Sequence, residues 1–447
     1  YIPLSDGIHQ YGWGARGRWF LGTVTDETPG LSRALCGDKA KTKEVLSLAG
    51  IPVPPGSLVS GAAQAMQAAE HLGYPVVVKP ADRERGEAVM ANLKNLKAVQ
   101  DAFKEVSGLS NRVLLEKHMP GEVYRAHVYR GEIWVLSGRL PAGVTGDGKH
   151  DVASLVAQEN ARRKVEQTLV AQLNPIRIDA EALALLNELG MDPQSVPEKG
   201  CFVALKEAAN ASTGGRLFDV EETIHPETEK LLLRAAAVLR MDLTSFDFVT
   251  TDISRPWYEA GTAIIEANSG PQLSMLYPEY DRRLLETYVA GSGRIPSALL
   301  LTDSAGIRDQ VIRMVRADSA AAIGVASVQG TYLGDAVISG PQDDLCAATR
   351  CLVVNPGCKA ILVVSDGADS TAQGVPLDRF DTAALAEWSP GLDDAHPVIA
   401  GIDPHLAGQM LVVPGDARVV PGRTESRPDV ATLLSDLFAD LRSGQGG

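Results

Sequence analysis

No apolar run in this 447-residue chain is long enough to cross a bilayer as a helix, which excludes a helical membrane span. Basic charge is also short: 42 lysines and arginines face 56 aspartates and glutamates, for a net charge of -14 and a pI near 5.1. That balance argues against a nucleic acid or an anionic membrane surface as partner, while leaving room for a local basic cleft that takes ATP. The five cysteines, Cys36, Cys201, Cys346, Cys351 and Cys358, are odd in number and lack paired metal spacing. Reduced thiols in a cytosol are therefore expected, not a disulfide frame. The chain begins at Tyr1 with neither Met nor a signal-like segment, so a preceding stretch is expected to be removed, disordered or not included.

What is present is ordinary globular composition, 45% hydrophobic, enough for two or three domains with real cores. The chain is organised around Phe246 to Pro271. Asp247 stands between Phe246 and Phe248, so on a strand its carboxylate points one way and both rings the other. Glu266 and Asn268, two apart in AIIEANSGP, share one face of a second strand. Acids inside apolar strands are costly to bury without a cation. Mg²⁺ suits them, since it takes one or two carboxylates and completes its shell with water and nucleotide phosphate. The alternative is an edge strand with its acids in water.

Taken in order, Tyr1 to Leu35 is Gly- and Arg-rich and reads as a loop leading into the first core element. Asp38 caps a helix that Gly50 closes; Lys39 and Lys43 share a face of it, a spacing that usually means solvated lysines. A helix over Ala62 to Leu72 leads to the buried strand GYPVVVKP, which delivers Lys79 at its end. A helix near Leu96 to Val106 precedes the strand RVLLEK, ending in Glu116 and Lys117, and the loop HMPGEVYR with Glu122 and Arg125. Arg130-Gly131 turns between two strands, and Thr145 to His150 makes a second glycine turn. The pattern is helical and polar from Val152 to about Leu189. A strand then ends in Lys206, NASTGG (Asn210 to Gly215) forms a loop of small residues whose amides can cup an anion, and Pro226 starts a helix through Leu239.

The order of these parts resembles the ATP-grasp fold. More narrowly, GDGKH, NASTGG, DVEETIHPE, DISRP and EANSGP, in that order, resemble the ATP-grasp module of cyanophycin synthetases over roughly Gly12 to Pro296. The resemblance implies ATP and Mg²⁺, for which Mn²⁺ can stand in, as cofactors. Lys39 and Lys79 would hold the nucleotide phosphates, with Gly86 in the lid over them. Glu116 and Lys117 would form the adenine hinge, and Glu122 would lie beside the ribose. Asp247, Glu266 and Asn268 would bind the metal. Arg125 and Lys206 would meet the transferred phosphate or the acyl phosphate, and His150, Asn210 and Ser212 would handle the carboxylate and amine substrates. It further implies an amino-acid or small-peptide substrate and a homo-oligomer, dimer or tetramer. Three departures are visible. The lid reads DRERGEAV and keeps only Gly86; Val123 stands where the family has a ribose acid; and the leading segment, Tyr1 to Leu35, is not expected to hold the family's extra N-terminal domain.

From Arg294 the composition changes. GRIPSALLLTDSAGIRDQVIRMV has the strand, turn and helix order of a phosphate loop, and the matching place in cyanophycin synthetases opens a Mur-ligase-like domain. Here Asp303 stands where a glycine is needed, and Ile307 and Arg308 where a lysine and a hydroxyl belong. SGPQDDLCAATRCLVVNP and CKAILVVSDGAD keep the strand pattern of that domain. The expected fold class is α/β: an α+β ATP-grasp module over 1–292, a truncated and degenerate Mur-like α/β domain over 293–441 and a flexible tail over 442–447. The expected function is an ADP-forming carboxylate–amine ligase with one site, of the kind found in natural product biosynthesis. Two alternatives stand beside it: a non-catalytic pseudo-ligase or scaffold subunit, and a single-site cyanophycin synthetase joining aspartyl-arginine dipeptides.

Overall fold

The computed structural model describes residues 1–83, 88–166, 174–209, 213–220, 223–271, 279–366, 374–387, 405–408, 410–413 and 424–443. They form a mixed α/β chain of two compact units, one of Gly22–Arg282 and one of Tyr1–Leu21 with Arg283–Gly447. The division expected after residue 292 is thus near the second break, but the first 21 residues group with the C-terminal unit. Their Gly- and Arg-rich sequence does not stay a loop. It forms β1 (Ile2–Ser5), β2 (Ile8–Tyr11) and β3 (Arg18–Leu21), an antiparallel meander. Gln10 Nε2 donates to Val353 O at 2.8 Å, Ala15 N donates to Cys358 O at 2.7 Å, and Trp13 packs against that unit's core.

The unit Gly22–Arg282 begins with β4 (Val24–Thr25), α1 (Gly30–Cys36) and α2 (Lys39–Leu48). The Asp38 carboxylate accepts from the amides of Ala40 and Lys41, which otherwise lack helical partners. Next come β5 (Gly56–Val59), α3 (Ala62–Leu72), β6 (Val76–Pro80), β7 (Met90–Leu93), α4 (Leu96–Ser107) and β8 (Val113–Lys117). The four strands pair antiparallel in the order β5-β8-β6-β7, and α3 and α4 bury their alanine and valine stripes against them. All five residues of β6 are buried, as its unbroken valine run dictates.

A second sheet follows, built from β9 (Glu122–Tyr129), β10 (Glu132–Leu140), β13 (Arg216–Asp219), β14 (Leu243–Thr250) and β15 (Ala263–Asn268), in the order β13-β10-β9-β14-β15. Between β10 and β13 stand β11 (Gly143–Thr145), α5 (Val152–Glu166), α6 (Ala180–Glu188) and β12 (Phe202–Ala204). The helical pattern read as continuous over 152–189 is two helices. Pro175 cannot continue one, and Asp179 caps the next by accepting from Ala182 N. β12 stops at Ala204, so Lys206 lies past the strand that was expected to carry it. α7 (Pro226–Val238) covers one face of the five-stranded sheet. Phe246 and Phe248 are fully buried there, each contributing about 2–3 kcal/mol by area removed from water.

After α8 (Glu279–Tyr288) the C-terminal unit comprises β16 (Ser297–Leu301), α9 (Ala305–Ala317), β17 (Ile323–Ser327), β18 (Gly330–Leu333), β19 (Ala336–Ser339) and α10 (Leu345–Val353). It ends with β20 (Ala360–Ser365), β21 (Thr382–Leu385), β22 (Met410–Val412), β23 (Thr424–Ser426) and α11 (Val430–Ser443). The sheet order is β19-β18-β17-β20-β16-β21-β22-β23, parallel from β17 to β23 and antiparallel at the β18–β19 edge. α9 and α11 cover one face and α10 the other, so strands such as SALLL are buried throughout. Ile307, at the position where a phosphate loop needs a cation, packs with Val311 and Val315 in the core.

Candidate active site

Cross-strand register sets the chemistry of the five-stranded sheet. Arg125 on β9 is paired with Asp247 on β14, and Asp247 with Glu266 on β15, so three charged side chains form a row across adjacent strands. One step along, His127, Ser245 and Asn268 form a parallel row. Alternation puts both rows on the face opposite Phe246, Phe248, Tyr124 and Ala126, which belong to the core under α7. The β14–β15 register slips between Asp247 and Phe248, leaving Ile265 as an extra residue. That bulge lets the consecutive residues Ile265 and Glu266 both line the cleft above the sheet.

The cleft has a volume of about 370 Å³ and lies between this face and the four-stranded sheet. Lys39, Lys79, Glu116, Lys117, Glu122, Asp247 and Glu266 line it, seven of the residues that the sequence singled out. Its apolar wall includes Val77, Val89, Val249, Ile265 and Phe218. Phe218 faces Gly138 across β10–β13, where a Cβ would sit 1.9 Å from the ring. Only glycine leaves the ring its place.

Asp247 is 5% exposed and accepts from Arg125 Nε at 2.6 Å and Nη2 at 2.8 Å, with Arg139 Nη1 at 3.3 Å. Burial alone would raise its pKa; the Arg125 and Arg139 charges outweigh burial and hold it down at about 2. Burial lowers the Arg139 pKa despite Asp247, whereas for Arg125 the Asp247 charge and hydrogen bond overcome burial and raise it. Lys39 pairs with Glu266 at 3.2 Å and donates to Arg83 O. Lys79 and Lys43 each donate to one oxygen of Glu116. Burial lowers Lys79 to about 8.

Several placements differ from expectation. Lys39 and Lys43, at a spacing that suggested solvated lysines, are each only 8% exposed, because Glu266 and Glu116 offset their charge in the interior. Of the two expected hinge residues, Glu116 has both carboxylate oxygens taken by the lysines. Lys117 braces the chain instead, its Nζ donating to Gly73 O and Tyr74 O at 2.9 Å. The Glu122 carboxylate accepts from Tyr124 OH at 2.6 Å. Lys206 is not brought to this cleft: it lines a separate hollow of about 310 Å³ and donates to Asp179 and Glu181, both at 2.7 Å. His150 is exposed, and its Nδ1 stands 2.6 Å from Asp147 within its own turn. Gly86, Asn210 and Ser212 lie outside the described residues.

Sequence reading passed over Arg139, Glu207 and Phe218, and gave Lys43 no part in the site. Arg139 was findable, since it stands two residues after Ser137, the register partner of Arg125, and so shares its face. Glu207 lines the cleft and accepts from Asn92 Nδ2 at 2.8 Å. No local pattern announces it.

The donor set fits Mg²⁺. Asp247 and Glu266 are adjacent carboxylates facing one cleft, and Asn268, two residues after Glu266 on β15, brings an amide oxygen to the same face of the sheet. No group of three His, Cys, Asp or Glu side chains able to hold a metal stands ready among the described residues, and Mg²⁺ arriving with a nucleotide needs only one or two carboxylates.

Residues 33–123 match the ATP-grasp domain family, so the cleft belongs to a chain carrying an ATP-grasp domain. The likeness to cyanophycin synthetase read from the ordered motifs holds along most of the chain. Against the cyanophycin synthetase of Nostoc sp. (strain PCC 7120) it is 31% identical over 353 residues, 74% of this chain and 39% of the relative. The glutathione biosynthesis bifunctional protein of Enterococcus faecalis is 34% identical over 253 residues, covering 54% of this chain and 33% of that one. The chain therefore spans well under half the length of the curated relatives it matches. Among solved structures, a bifunctional glutathione synthetase from Pasteurella multocida matches with a TM-score of 0.45 and 24% identity, over 63% of this chain and 40% of that chain.

Proposed function

We propose that the chain is an ADP-forming carboxylate–amine ligase with a single active site, the cleft of the unit Gly22–Arg282. The observation that carries this reading is the row Arg125, Asp247, Glu266 beneath two buried lysines, Lys39 and Lys79. Cations and metal-binding carboxylates converge on one cavity that also has an apolar wall for a base.

In this reading Lys39 and Lys79 bind the polyphosphate, and Val77, Val249 and Ile265 flank the base. Asp247, Glu266 and Asn268 hold Mg²⁺, which supplies charge neutralisation for the phosphates when bound. Asp247 also fixes Arg125 and Arg139, so their guanidinium groups are oriented before substrate arrives. A substrate carboxylate oxygen forms a bond to the terminal phosphorus as the bond to ADP breaks. Negative charge grows at the transferred group, and prefixed arginines offset it. An amine then attacks the acyl carbon, phosphate leaves, and the amine gives up its proton to solvent. The relatives point to amino-acid or small-peptide substrates. The C-terminal unit, with Ile307 in its core, is read as a Mur-like domain without a working phosphate loop.

The test is mass spectrometry of reactions holding the chain, Mg-ATP, pooled amino acids and aspartyl-arginine dipeptide, with ADP and AMP quantified. A new amide mass accompanied by ADP is expected. AMP in place of ADP, or a product that forms without ATP, would refute the ligase mechanism, and ATP binding with no amide from any pool would favour a non-catalytic subunit.

A further inference from the structure

Lys43 has no role in the reaction just described, yet it occupies a demanding position. It lies one turn after Lys39 on α2, off the cleft, and donates to Glu116 Oε2, while Lys79 donates to Oε1. All three groups are buried, Lys43 8%, Lys79 3% and Glu116 2% exposed. One carboxylate therefore serves two ammonium groups out of reach of water.

The sharing has an electrostatic consequence. A carboxylate bound to Lys79 alone would make a one-to-one buried pair in which the two charges cancel. Glu116 shared with Lys43 cancels neither. The other charged groups facing the cluster are Lys39, Glu266 and Asp247. Glu266 and Asp247 offset part of this positive charge, but each is itself paired, with Lys39 and with Arg125, so the carboxylate in hydrogen-bond contact with Lys79 is that of Glu116.

We propose that Lys43 is a positioning residue for polyphosphate binding: by engaging one oxygen of Glu116 it leaves the Lys79 ammonium facing the cleft with uncompensated charge. This rests on the reading of the cleft as a nucleotide site and adds a residue that touches no ligand. Its effect runs through Glu116 and scales with the phosphate charge of the ligand. A purely structural lysine would do neither.

The experiment is calorimetric titration of the full chain with adenosine, ADP and ATP in the presence of Mg²⁺, repeated for Lys43→Met, Glu116→Gln and the double variant. Lys43→Met is expected to weaken ATP binding about tenfold or more, the range for losing a charge-assisted contact, ADP less, and adenosine not at all. Adding Glu116→Gln to Lys43→Met should restore ATP binding, because Lys79 is then no longer neutralised. Equal weakening of adenosine and ATP, or no recovery in the double variant, overturns the proposal. Should Lys43→Met fail to fold, the double variant is compared with Glu116→Gln alone: equal ATP affinity supports the proposal, and a further loss overturns it. A folded, unmodified chain that binds no ATP would instead bring down the nucleotide reading, and this proposal with it.

Discussion

The two units solve the same packing problem in opposite ways. In the C-terminal unit a largely parallel sheet is covered on both faces, by α9 and α11 on one side and α10 on the other, and residues such as Leu299, Leu300 and Leu301 are fully buried. Among the described residues neither face of that sheet stays open, and the turn after β16 offers Thr302, Asp303 and Ser304 without a lysine. In the unit Gly22–Arg282 the antiparallel five-stranded sheet is covered by α7 on one face, and the other carries Arg125, Asp247 and Glu266 side by side. A sheet with one open face can carry a row of charges; a sheet covered on both sides cannot.

The largest effect that would sharpen this contrast is at Asp247. Asp247→Asn should lower ADP release about a thousandfold, because it removes a metal donor and the fixed partner of two arginines at once. Turnover within tenfold of the unmodified chain would refute the role. In the other unit, Phe380→Ala should cost about 3–5 kcal/mol of stability in denaturant titration while leaving ATP affinity unchanged. A shift in ATP affinity there would break the contrast directly. An attempt to rebuild a phosphate loop, Asp303→Gly with Ile307→Lys, should destabilise the unit by about 2–4 kcal/mol through a buried ammonium and create no second ATP site; calorimetric stoichiometry reads this out.

Smaller effects are expected at the cleft wall. Ile265→Ala removes part of the apolar wall and should weaken ATP and adenosine alike, by about tenfold, as losing a buried apolar side chain does. An unchanged adenosine affinity would place the base elsewhere. The smallest effect is with pH. Lys79 titrates near 8, below its ordinary value, so above that pH the free cleft loses an ammonium that phosphate requires. ATP affinity should fall as pH rises through about 8, by at most about tenfold per pH unit, and a flat profile from pH 7 to 9 would remove Lys79 from phosphate binding.

Strand alternation around Asp247 and the EAN spacing were legible because period two fixes which side chains share a face. The capped helix after Asp38, the Ala62–Leu72 helix and the valine strand ending in Lys79 were legible for the same local reasons. What was hidden depends on partners distant in sequence. Lys43 reads as a surface lysine until Glu116, 73 residues on, is seen to hold it, and Glu207 reaches the cleft from a loop. Lys206 and His150 were named from order in the chain; their acidic partners Asp179, Glu181 and Asp147 claim them locally. The N-terminal meander was read as a loop because its strands are short and its partners, Val353 and Cys358, lie far along the chain.

The bracing of Lys117 has a mechanical side. Lys117 N donates to Pro55 O, Lys117 Nζ to the carbonyls of Gly73 and Tyr74, and His118 N to Pro75 O, so the chain is riveted to the four-stranded sheet through His118. Three residues later it belongs to the other sheet, since a Cβ on Gly121 would sit 2.2 Å from Thr250 O. Met119 and Pro120 are all that lies between. The two sheets are thus like the covers of a book with a two-part spine, Met119 and Pro120 here and Val53 and Pro54 where the chain first crosses. That first crossing runs between Pro52, whose O accepts from Ile264 N on β15, and Pro55, whose O accepts from Lys117 N. Each part holds a proline that cannot turn about φ. The angle at which the book stands open is set there, and so is the room left between its covers.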